Sequence, residues 1–128
     1  MQYYPFSGTW AMWHDNWPGT LTIYPPDQEF VAEDPPCTYT YMPFSGSYEP
    51  GGGGPALAVS GTIGGQDPNQ QGHECPQSDH KIVFTITFPG APPQPFQGYF
   101  FTQAGPGRLA GYTWWAGLPF GWFAEKQS

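Results

Sequence analysis

Six times in 128 residues the chain sets a glycine among apolar or aromatic side chains: FSGTW (6–10), FSGSY (44–48), VSGTI (59–63), FQGYF (96–100), LAGYT (109–113) and PFGWF (119–123). Glycine inside a strand is ordinarily a penalty, because it loses the most conformational freedom on folding and brings no side chain to pack. A strand accepts it where it must bend sharply, or where a large neighbouring side chain lies across it. Both needs arise in small closed barrels, whose strands coil strongly and whose aromatic rings need room.

The rest of the chain agrees. Apolar residues nowhere recur at helical spacing for three turns, so almost no helix is expected. Period-two alternation is plain instead. In KIVFTITF (81–88), Ile82, Phe84, Ile86 and Phe88 share one face, and Lys81, Val83, Thr85 and Thr87 the other. TLTIY (20–24) and ALAVSGTI (56–63) alternate likewise, and further strands are predicted at 6–13, 38–42, 44–48, 96–103, 108–115 and 119–126. Between them stand turn-forming stretches such as NWPGT, YPPDQ, EDPPC and FPGAPPQP. Short strands joined in sequence order make an antiparallel meander. Left open, it has two raw edges; closed, it has none. The fold class is therefore all-β, a single antiparallel meander β-barrel of about eight strands, with a two-sheet β-sandwich as the competing architecture. One domain, 1–128, accounts for the length.

Composition narrows the partners. The 18 glycines and 17 prolines lean towards disorder, but aromatics make up 19% of the chain. Buried rings each remove roughly 150–250 Å² from water, which a disordered chain cannot do. The net charge of -7 leaves three cations, Lys81, Arg108 and Lys126. No basic patch exists to neutralise phosphates, so neither nucleic acid nor an anionic membrane is an expected partner. MQYYPFSG lacks a basic start and an apolar run, which predicts no signal peptide and leaves a cytoplasmic protein or a mature secreted fragment.

Cys37 and Cys75 are an even pair in turn-like contexts, and neither lies in a CxxC. They read as a disulfide between two loops in an oxidising compartment, or as two free thiols in a reducing one. The catalytic signatures GxSxG, HExxH, P-loop and GxGxxG are absent. His14, Asp15 and Asn16 stand together in a first loop, and His73, Glu74, Asp79 and His80 in a long polar one (64–80). Folded over each other at one barrel mouth, the two loops would form an acid–base or metal site. The histidine spacing is not that of a metal pair, so no metal and no cofactor are expected.

FSGTW, with its G-x-W near the start of the chain, resembles the first-strand signature of the lipocalins and their calycin relatives; the length, the meander and the Gly-aromatic strands are more similar to the avidin and streptavidin branch. The resemblance implies an eight-stranded barrel with a ligand cavity at one end. It also implies structural roles for Gly8 and Trp10, the Trp packing across the closed base. Avidin-type proteins hold the ureido group of biotin with a short polar first loop. Here AMWHDNWPG is longer and carries Trp13 and Trp17, so that spacing is not reproduced.

The six tryptophans fall at the two ends of the chain, which a closed barrel brings together. Neighbouring residues of a strand face opposite ways. Trp115, in phase with Leu109, Gly111 and Thr113, is predicted to face in; Trp114, in phase with Tyr112, is predicted to face out. The expected ligand contacts are Trp13, Trp17, His14, Asn16, Trp115, Trp122, Tyr39 and Tyr41. Outward Tyr99, Phe101, Tyr112 and Trp114 form a patch for self-association unless a loop such as 25–36 covers it. The function expected first is non-enzymatic binding of a small apolar or aromatic ligand. A cyclase or isomerase on the same barrel, with Tyr24, Tyr39, Tyr41 or Glu49 as acid or base, and a protein-binding or inhibitor barrel are the alternatives.

Overall fold

A computed structural model describes residues 6–26, 28–101 and 107–127. They form nine strands: β1 (Gly8–His14), β2 (Trp17–Ile23), β3 (Phe30–Asp34), β4 (Cys37–Pro50), β5 (Leu57–Gly64), β6 (Lys81–Ile86), β7 (Gln94–Phe101), β8 (Arg108–Trp115) and β9 (Leu118–Lys126). All pairings are antiparallel, and no helix forms among the described residues. β1 pairs with β9, Trp10 opposite Lys126 through His14 opposite Trp122, and β2 pairs with β4. Those two seams close eight strands into a barrel and dispose of the sandwich. The ninth, β3, lies outside it, paired only with the first part of β4.

Three boundaries depart from the sequence reading. The strands expected at 38–42 and 44–48 are one 14-residue strand, β4, which carries Pro43 within its ladder to β5. β3 was not foreseen, and it replaces part of the loop expected at 25–36. The strand expected at 96–103 starts at Gln94; residues 102 and 103 lie outside those described.

Alternation decides what fills the barrel. Ile82, Phe84 and Ile86 are buried on one face of β6, as are Phe96 on β7, Leu109 and Thr113 on β8, and Trp122 and Ala124 on β9. Phe84 and Phe96 stack with centroids 5.0 Å apart, and Trp122 meets both rings edge-on. That interior explains one of the embedded glycines: a Cβ at Gly98 would come within 2.6 Å of the Trp122 ring and of the Ala110 carbonyl oxygen. Gly8 answers a different need, taking φ = 131°, a conformation that L side chains rarely adopt.

At one end Trp10 is fully buried, its indole N–H donating to the Phe6 carbonyl at 2.8 Å. Phe100 meets Trp10 and Phe6 edge-on, at 6.2 and 5.4 Å, so aromatic side chains close this end.

The long polar segment after β5 belongs to this same end. It packs over the outer face of β6 and β7, where Asp67 is fully buried. The Asp67 carboxylate accepts from the Tyr99 hydroxyl at 2.8 Å, and Lys81 Nζ donates to the Gln66 carbonyl at 3.1 Å. Buried polar groups need such partners. Tyr99 is thereby drawn under the loop and out of the outward patch expected of it. Cys37 and Cys75 are joined in a disulfide, Cα atoms 5.4 Å apart, which fastens the segment to the start of β4.

Candidate functional site

The opposite end of the barrel is open. Two tight hairpins form part of its rim: β1 turns into β2 through Asp15 and Asn16, with φ of 48° and 68°, and β8 into β9 through Ala116 and Gly117, with φ of 52° and 78°. Positive φ at both central residues is the turn geometry that suits the right-handed twist of a hairpin. The first loop is therefore two residues, not the longer stretch expected, because β1 runs on through His14 and β2 begins at Trp17.

Within the rim lies a cavity of about 720 Å³, within the range of small-molecule sites. Trp17, Pro18 and Asp15 border it from the first hairpin, Trp115 and Phe120 from the last, and Pro50 to Gly53 from the β4–β5 connection. Deeper in stand His14, Tyr48, Phe88, Gln94 and Thr113. Trp17 and Trp115 are 68% and 46% exposed, large rings held in water at the edge of an apolar space.

The deep polar groups are tied to one another. His14 Nε2 and the Tyr48 hydroxyl lie 3.1 Å apart, and the imidazole packs against Tyr48, Phe88 and Phe96 with centroids 5.7 to 5.8 Å away. Burial among those rings lowers the His14 pKa from its ordinary value, and the neighbouring Asp15 carboxylate offsets part of that. At neutral pH the ring is uncharged. Burial likewise raises the Tyr48 pKa, so the phenol keeps its proton. The Gln94 amide donates to Thr113 Oγ1 at 2.8 Å, and Thr113 donates to the Pro95 carbonyl at 2.8 Å. The deep part of the cavity is thus neutral, aromatic and hydrogen-bonded.

Of the residues predicted to contact ligand, His14, Trp17 and Trp115 border this cavity. Asn16 is exposed at the hairpin tip, where its neighbour Asp15 takes the place at the rim. Trp13 is corrected: it has the opposite phase to the inward Trp10 and Met12, and it stacks outside the barrel on Phe123, 4.9 Å away. Trp122 points inward but lies in the core, its indole N–H shared between the Gln97 and Tyr112 carbonyls. Tyr39 and Tyr41 are on the first part of β4, beside β3 and away from the mouth; Tyr41 stacks on Phe30 there. Tyr48, Phe88, Gln94, Thr113 and Phe120 were not foreseen as lining residues. Two signals were available: Phe88 continues the face of Ile82, Phe84 and Ile86, and Thr113 has the phase of Trp115.

The joined-loop site at the mouth is also corrected. Asp15 and Asn16 are at the open end, whereas the 64–80 segment leaves β5 and enters β6 at the base. His73, Glu74, Asp79 and His80 therefore stand at the other end from His14. Among the described residues no three His, Cys, Asp or Glu side chains converge as a metal site.

Comparison of the chain with known protein families, with curated proteins and with solved structures finds no match.

Proposed function

We propose that this barrel is a calycin-like binding module, which takes a small apolar or aromatic ligand into its open end without transforming it. The observation that carries the reading is the division of the interior. Core rings pack the base and the middle, while a cavity of about 720 Å³ remains at the mouth, bordered by Trp17, Trp115, Phe88 and Phe120. Rings exposed around a concave site supply affinity through stacking and area burial. The G-x-W first strand and the Gly-aromatic rhythm support the lipocalin and avidin likeness.

Native mass spectrometry of freshly purified protein, followed by tryptophan-fluorescence titration with small aromatic compounds, tests the reading. The expected result is saturable quenching with the compound recovered unchanged. A compound recovered chemically altered supports the cyclase or isomerase alternative, for which the His14–Tyr48 pair is the acid–base group in the cavity.

A second reading rests on a separate observation. Tyr112 is 62% exposed and Trp114 and Phe123 are partly exposed as well, on the outer faces of β8 and β9. With Phe101 they support self-association, which appears in the same mass spectrum as a dimer or higher species.

A further inference from the structure

We infer that the mouth cavity selects organic cations: a quaternary or protonated amine on a compact apolar or aromatic body. The inference rests on the binding reading above and names its ligand class.

The first observation is where the charges lie. The chain has three Lys and Arg residues. Lys81 opens β6, Arg108 opens β8 and Lys126 closes β9, so all three stand at the base end of their strands. All three are engaged there: Arg108 pairs with Glu125, its neighbour across the β8–β9 ladder, Lys81 faces the buried Asp67, and Lys126 Nζ lies 5.9 Å from the Trp10 ring centre. None borders the cavity, whose one formally charged lining residue among the described residues is Asp15. Glu49 lies one residue before the lining residue Pro50. A mouth bordered by the Asp15 carboxylate and, among the described residues, by no cation, on a chain of net charge -7, holds a negative potential.

The second observation is the kind of surface beneath that potential. Trp17, Trp115, Tyr48, Phe88 and Phe120 present aromatic rings to the space. The face of an aromatic ring is its negative part, and Trp attracts a cation most strongly. His14, the group able to add a positive charge among them, is held neutral by its burial. Among the described lining residues a ligand anion would meet Asp15 and aromatic rings with no cation to answer it. A cation meets complementary charge at the rim and aromatic rings below.

Three ligands of nearly one shape separate the terms: phenyltrimethylammonium, its neutral carbon isostere tert-butylbenzene, and the anion benzenesulfonate. Each is titrated by calorimetry at low and at high salt. The cation is expected to bind about tenfold more tightly than the neutral isostere at low salt, the anion most weakly of the three, and the gap to narrow as salt rises. Asp15→Asn should reduce the ratio of cation to tert-butylbenzene affinity about threefold. Asn accepts the left-handed backbone of position 15, so the hairpin persists. If tert-butylbenzene binds as tightly as the cation, or Asp15→Asn leaves their ratio unchanged, the cation inference fails and the apolar binding reading survives. If none of the three binds, the binding reading fails with it.

Discussion

Trp10→Ala is expected to cost about 3–5 kcal/mol of stability, the range for truncating a buried aromatic side chain. The residue is fully buried, meets Phe100 edge-on and has Lys126 Nζ 5.9 Å from its ring centre. Two losses combine. The removed ring leaves a hole among Phe6 and Phe100, and the Phe6 carbonyl loses its buried donor. Trp10→Phe retains part of the ring volume but not the N–H, so a smaller loss follows. Urea denaturation reads both, as a lowered midpoint with the slope unchanged. A midpoint within error of the parent for Trp10→Ala would mean that the base is not closed by this ring.

The second large effect concerns the bridge. Replacing Cys37 and Cys75 with Ser removes a link between residues 38 positions apart, worth about 4 kcal/mol in the chain-entropy account. The bridge fastens the start of β4, where β3 pairs, to the segment that carries Asp67; β3 and that segment lie outside the barrel wall. Hydrogen exchange should therefore show the largest loss of protection in residues 64–80 and in β3, with a smaller change in β1, β8 and β9. Equal loss throughout the barrel would instead make the bridge part of a single cooperative unit.

Much of this architecture was legible because alternation is a local signal. The phases of Trp114 and Trp115 follow from their neighbours in β8, and the interior face of β6 can be read from four residues. What failed was counting. The strands expected at 38–42 and 44–48 are two parts of β4, which runs through Pro43 without a break. In a meander each added strand sends the next connection to the opposite end. With that division the 64–80 segment falls at the same end as the first hairpin; with β4 as one strand it falls at the base. β3 was missed because all five of its residues are exposed, and a strand without a buried face leaves no alternation to find. Trp13 was misplaced although its phase was legible: within the strand expected at 6–13 it faces away from the inward Trp10 and Met12. The buried Asp67 network left no local signal: Asp67, Lys81 and Tyr99 meet only once the loop has packed.

The proposed ligand site lies at the mouth, at the other end of the barrel from the buried rings around Trp10. Binding of one small aromatic ligand to Trp17→Ala and to Trp10→Phe, with the melting temperature of each, tests it most directly. Trp17 is 68% exposed and borders the cavity, so Trp17→Ala should weaken binding at least tenfold and leave the melting temperature nearly unchanged. Trp10→Phe should melt lower and bind as the parent does. If Trp17→Ala binds like the parent while folded Trp10→Phe cannot bind, the site lies at the other end of the barrel.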